Sequence, residues 1–128
     1  MTEPVIAVVE DNPDNRLLIQ AMLGGRFRLV EFEDGSSALA AMRAEPPALV
    51  LLDISLPGMS GVEVLEHMRA DPALAQLPVV AVTAHAMAGD RERYLDLGFD
   101  AYISKPIVDV AQLTATIERC LGAAPRPQ

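Results

Sequence analysis

Leu49-Val50-Leu51-Leu52-Asp53-Ile54-Ser55-Leu56-Pro57-Gly58-Met59-Ser60-Gly61 is the stretch whose reading decides the fold. Four apolar residues run straight into Asp53, and a turn-rich segment follows. A short apolar run bounded by turn residues reads as a strand buried on both faces, as in a parallel sheet. A carboxylate cannot sit unpaired in such a core, so Asp53 should emerge at the strand's C-terminal edge. Open α/β sheets bind their ligands at that edge. Asp53 is therefore the candidate reactive group.

The same punctuation recurs on either side of this stretch. Val5 to Val9 is a short β-branched run ending in Glu10-Asp11, and Asn12-Pro13 supplies a helix cap and a first-turn proline. That helix should run to about Leu23 and stop at Gly24-Gly25. Phe27 to Phe32 mixes apolar and charged residues, as suits a sheet edge, and Ser36 to about Ala44 reads as an Ala-rich helix stopped by Pro46-Pro47. Downstream of Asp53, Ser60 and Glu63 have capping-box spacing ahead of a helix to about Ala70. Val79 to Val82 is a further apolar strand ending at Thr83. A loop and helix lead to Leu97 and the stop Gly98. Ala101 to Ser104 is the last strand, ending at Lys105-Pro106, and Val110, Leu113, Ile117 and Leu121 form the apolar stripe of a closing helix. Strand and helix thus alternate throughout, with no repeat and no linker. That pattern calls for an α/β fold with a doubly wound five-stranded parallel sheet. One domain over 1–122 is expected, with 123–128 as a frayed tail.

Composition narrows the function. Half of the 128 residues are hydrophobic, so an ordered core is expected. The net charge of −8, with no run of Lys or Arg, argues against nucleic acid or an anionic membrane surface as partner. No apolar run approaches the ~20 residues of a membrane span, and Met1-Thr2-Glu3-Pro4 does not open a signal peptide. The single cysteine, Cys120, fits a reducing compartment, so a cytoplasmic protein is expected.

The strand ends gather Glu10, Asp11, Asp53, Thr83 and Lys105 on one sheet edge. Each pair of carboxylates at about 4 Å costs about 4 kcal/mol at an effective dielectric of about 20. One lysine does not offset that; a divalent cation does, and an all-oxygen donor set suits Mg2+. Magnesium keeps waters and shares its site with phosphoryl groups, so the residue set points to phosphoryl chemistry. Asp53 would attack phosphorus, Lys105 and Mg2+ would neutralise the equatorial oxygens, and Thr83 would donate its hydroxyl.

With Glu10-Asp11, Asp53 followed by Pro57 and Gly61, Thr83-Ala84 and Lys105-Pro106 all in order, the chain resembles the receiver domain of two-component response regulators. The resemblance covers nearly the whole chain and implies the flavodoxin-like strand order 2-1-3-4-5. It implies that Asp53 accepts phosphate from the phosphohistidine of a histidine kinase or histidine phosphotransfer protein and later loses it by autodephosphorylation. Asp11, Asp53 and the Ser55 backbone carbonyl would ligate Mg2+, with Glu10 helping, partly through water. The Lys105–Pro106 peptide bond would be cis. Tyr102 matches an aromatic switch position, turning inward once Thr83 is drawn to the phosphoryl group. Ser55 and His85 match positions that tune phosphoryl lifetime. The donor is expected to dock near Asn15, Leu18 and Pro106, one of Leu17 and Leu18 facing outward. A downstream protein target would use the face near Tyr94 and Tyr102.

Three other functions fit the residues less well. A Mg2+-dependent phosphohydrolase of the haloacid-dehalogenase type needs a second Asp two residues after the first, where this chain has Ser55. A flavodoxin relative needs a hydroxyl- and glycine-rich first loop, where this chain has Asp11-Asn12-Pro13-Asp14. A phosphorylation-independent interaction module would not need every motif position filled, as they are here. The initiating Met and the tail after Gly122 favour a stand-alone regulator.

Overall fold

A computed structural model describes residues 4–84, 89–105, 107 and 109–122. Its elements follow the alternation in the sequence: β1 (Val5–Val9), α1 (Pro13–Leu23), β2 (Arg28–Phe32), α2 (Gly35–Ala44), β3 (Leu49–Asp53), α3 (Gly61–Ala70), β4 (Val79–Thr83), α4 (Asp90–Leu97), β5 (Ala101–Ser104) and α5 (Val110–Leu121). All pairings are parallel and the strand order is β2-β1-β3-β4-β5. From β1 the chain winds outward to β2, then returns to β3 and winds the other way. The reversal leaves a crevice between β1 and β3, the topological switch point where such sheets take ligands.

Every residue of β3 and β4 is buried, which is why these strands read as unbroken apolar runs. The two-residue period divides the core into two layers. Ala7, Val9, Val50, Leu52, Val79 and Ala81 pack beneath α2, α3 and α4, with Leu39, Leu65, Met68 and Tyr94. Ile6, Val8, Leu49, Leu51, Val80, Val82, Ala101 and Ile103 pack beneath α1 and α5, with Ile19, Leu23, Leu113 and Ile117. Cys120 joins the second layer as a buried free thiol.

Several local expectations shift. Phe27 precedes β2 and plugs the α1/α5 layer, its neighbour Gly24 being bridged to it. The α2 helix starts one residue early, at Gly35, because Asp34 caps it by accepting from Ser37 N at 2.8 Å. On α5 the stripe is narrower than drawn: Val110 is 44% exposed. On α1 both Leu17 (61%) and Leu18 (38%) are exposed, since Ile19 and Leu23 face the core. No helix among the described residues is long and apolar enough to cross a membrane. His85, Pro106 with its peptide-bond geometry, and the 123–128 tail lie outside the described residues.

Candidate functional site

The acidic pair sits where β1 leaves the sheet. Glu10 N still donates to Phe32 O at 3.0 Å, so the chain stays tied to β2 for one residue beyond the strand. Asn12 then caps α1, accepting from Asp14 N at 2.8 Å, with Pro13 in the first turn. This tight turn holds Glu10 inward, 2% exposed, and Asp11 outward. Glu10 Oε2 accepts from Asn12 N at 3.1 Å, and Oε1 from Asn15 Nδ2 at 3.3 Å.

Asp53 ends β3 and is 4% exposed. Its Oδ1 accepts from Ser55 N at 3.0 Å. Beyond it, Ile54 N donates to Val82 O at 3.0 Å and Gly61 N to Ile54 O at 2.9 Å, so α3 starts against the end of β3. A Cβ on Gly61 would lie 2.4 Å from Asp53 O and 2.8 Å from Ile54 Cα. Only glycine permits that approach. The capping box holds the same helix start: Glu63 N donates to Ser60 Oγ at 3.3 Å, and Ser60 N to Glu63 Oε1 at 3.4 Å.

Lys105 joins the two acids. Its Nζ lies 2.5 Å from Glu10 Oε1 and 3.1 Å from Asp53 Oδ2, and its N–H donates to Thr83 O at 2.8 Å. Burial draws the ammonium toward lower pKa, but the hydrogen bonds and charges of Glu10 and Asp53 prevail and hold it above the ordinary lysine value. Burial pushes Glu10 up, Asp53 adds to the rise, and the hydrogen bonds from Lys105 and Asn12 offset only part of it. One cation does not compensate the acids. Glu10, Asp11 and Asp53 each offer a carboxylate oxygen, all within 4.8 Å of one another. This oxygen-only donor set fits a hard divalent cation of the Mg2+ type.

The sheet's two-residue alternation sorts the remaining site residues. Glu10, Asp53 and Lys105 continue the parity of Val8, Leu51 and Ile103, on the α1/α5 face. Thr83 continues that of Val79 and Ala81, on the α2–α4 face, and is buried there. Tyr102 packs on that same face and pairs with Ala81 across the β4–β5 ladder, two register positions before Thr83 and Ser104. The aromatic ring is thus on one face and the charged trio on the other, with Thr83 buried at the end of β4. The Tyr102 ring stacks on Tyr94 (5.8 Å between centroids, 15° between planes), and Tyr94 meets Phe99 edge-on at 5.9 Å. The Tyr102 hydroxyl is buried with no hydrogen-bond partner among the described residues. Burial raises its pKa first, then the Asp90 charge and Tyr94.

Ser55 is exposed beside Asp53, and Leu18 lies on the open side of α1. Asn15, read in the sequence as part of a docking surface, is half-buried and donates to Glu10 Oε1. Arg16 escaped the sequence reading altogether. Its guanidinium donates to the backbone carbonyls of Glu10 (2.8 Å) and Asp11 (3.2 Å). A signal was present: an arginine in the fourth position of a helix opposes the macrodipole and needs specific partners.

The family model for the response regulator receiver domain matches residues 6–118. The polar-differentiation response regulator DivK of Brucella ovis is 42% identical over 125 residues, covering 97% of this chain and 100% of the relative. The receiver domain of a sensor histidine kinase from Pseudomonas aeruginosa, whose crystal structure has a magnesium ion coordinated in the active site cleft, aligns with a TM-score of 0.86. Its identity is 32%, over 95% of this chain and 100% of that one. The N-terminal domain of a response regulator receiver protein from Methanoculleus marisnigri aligns at a TM-score of 0.74 and 34% identity, over 94% and 98% of the two chains. With these likenesses running through the whole sheet and its acidic edge, the chain belongs to the response regulator receiver domain family.

Proposed function

We propose that this receiver domain is a phosphoacceptor switch in which Asp53 takes a phosphoryl group from a phosphohistidine. The observation that carries the reading is one ammonium shared by two buried carboxylates at the sheet's switch point, Lys105 to Glu10 and to Asp53. Glu10, Asp11 and Asp53, with the Ser55 carbonyl, would hold Mg2+, which supplies positive charge against the phosphoryl oxygens. An Asp53 carboxylate oxygen forms the new bond to phosphorus as the P–N bond breaks, and the imidazole leaves with a proton. Lys105 then exchanges part of its pairing with Asp53 for a phosphoryl oxygen. Attack of water on phosphorus returns the aspartate and inorganic phosphate, and Ser55 and His85 would tune how fast that attack occurs.

Phosphorylation adds about −1.5 to −2 charges at the edge. Thr83 would donate to a phosphoryl oxygen, and Tyr102, next to it on the same face, would follow. Moving the equilibrium from about 1:99 to about 99:1 requires about 5.5 kcal/mol, more than one hydroxyl bond supplies. The Tyr102 hydroxyl, buried with no hydrogen-bond partner among the described residues, offers a second contribution, since burying a hydroxyl unpaired costs on the order of 1–3 kcal/mol. The donor, a histidine kinase or phosphotransfer protein, would dock on α1 near Asn15 and Leu18 and next to Pro106. A target protein would read the Tyr94–Tyr102 face. The domain would span 1–122 and act in the cytoplasm.

The test is intact mass after incubation with Mg2+ and a small-molecule phosphodonor. One labile phosphoryl adduct is expected, absent with a chelator and absent in Asp53→Asn. An unmodified wild type under conditions that label another receiver domain would overturn the reading.

A further inference from the structure

Arg16 sits where a cation is doubly out of place, in the first turns of α1 and a few residues from a site that would take a divalent cation. Its contacts account for it. One terminal nitrogen donates to both Glu10 O (2.8 Å) and Asp11 O (3.2 Å). Its Nε lies 3.7 Å from Glu31 Oε1 and its other terminal nitrogen 3.6 Å from Glu33 Oε1. Gln20 in turn hydrogen-bonds Glu31. The side chain is 15% exposed, so the guanidinium lies between two carbonyls and two carboxylates rather than free in solvent.

Two consequences follow for the acidic loop. Turning both carbonyls toward Arg16 sets the backbone orientation of Glu10 and Asp11, and with it the directions of their carboxylates, in a connection three residues long. The charge that does this is paired with Glu31 and Glu33, which offsets part of its repulsion of a cation held by the loop. We infer that Arg16 is a positioning residue for the metal-binding pair: it preorganises Glu10 and Asp11 for a divalent cation, with Glu31 and Glu33 offsetting part of its charge. This inference rests on the Mg2+-dependent phosphoacceptor reading.

The sign of one measurement separates positioning from plain electrostatics. If Arg16 acted only as a nearby charge, Arg16→Met would tighten Mg2+ binding by removing a repulsion. If it positions the loop, the same variant weakens binding, by about tenfold as for other residues that orient metal ligands. Calorimetric Mg2+ titration of the wild type, Arg16→Met and Arg16→Lys reads this directly, with urea denaturation of each in chelator reporting stability separately. Lysine keeps the charge and one donor but not the planar fork, so it should recover part of the affinity. Where Arg16→Met does not fold, Arg16→Lys carries the test. Its affinity should fall below wild type, and its Asp11 and Asn12 amides should exchange faster in metal-free protein. Mg2+ affinity unchanged or raised in the folded variants overturns the inference while leaving the phosphoacceptor reading standing. A wild type that binds no Mg2+ overturns both.

Discussion

Lys105→Met removes a cation shared by two buried carboxylates while keeping a side chain of similar length. At 2.5 Å and 3.1 Å, the two contacts correspond to gross attractions of about 7 and about 5 kcal/mol at an effective dielectric of about 20. Most of that repays desolvation. The net cost of breaking such a pair is about 3–5 kcal/mol, because the remaining charges stay buried. That is a large fraction of a typical domain's 5–15 kcal/mol, roughly, of total stability. The loss should depend on pH. Burial already holds Glu10 above its ordinary value of 4.5, and removing Lys105 raises it further. A carboxylate whose folded pKa is raised favours the fold at low pH and loses that contribution as pH rises through the folded value. The deficit of Lys105→Met should therefore be largest near neutrality and shrink as pH falls toward 4.5. Urea denaturation in chelator at neutral and mildly acidic pH measures it. Mg2+ should bind the variant more tightly, since its competitor for the carboxylates is gone, while phosphoryl adduct accumulates more slowly. A neutral-pH loss below about 1 kcal/mol, or one that grows on acidification, would refute the charge accounting.

Two other substitutions probe what surrounds the site. Gly61→Ala puts a methyl 2.4 Å from Asp53 O, about 1 Å inside ordinary contact. The start of α3 must move off β3 at a cost of about 1–3 kcal/mol by urea denaturation, and phosphorylation of Asp53 should slow with it. Arg69 donates to the carbonyls of Ala75, Leu77 and Gly98 and to Asp100 Oδ2, tying the end of α3 to the turn between α4 and β5. Arg69→Met should cost about 3 kcal/mol, because Asp100 and the carbonyls lose a charged donor; hydrogen exchange should locate the loosening at 97–100.

Much of this molecule is readable from where apolar runs stop. Asp53, Thr83 and Lys105 each close or follow a short strand, and a parallel sheet has only one edge at which such residues can emerge. Glu10 and Asp11 were legible for the same reason. Ser60 and Glu63 announced the start of α3, since a capping box is a local hydrogen-bond pattern with fixed spacing. The limits of the stripes on α1 and α5 were not legible. Periodicity gives the direction of a helix's apolar face, but its width depends on how closely the neighbouring elements approach, so Leu17, Leu18 and Val110 are exposed.

Sequence alone determined the alternation of elements and the residues that end each strand, Asp53 among them, because each is set by residues adjacent in the chain. Tertiary structure decided the rest. Which face each edge residue takes depends on strand parity and on which helices cover that face. That put Glu10, Asp53 and Lys105 beside Ile19 and Ile107 of the α1/α5 layer, and Tyr102 in the α2–α4 layer. The Tyr94–Tyr102 stack and the grip of Arg16 on two carbonyls join or orient groups whose meeting depends on backbone direction. The reason is physical: local propensity acts over a turn or a cap, whereas the partners of a buried charge or ring are chosen by the packing of the whole sheet.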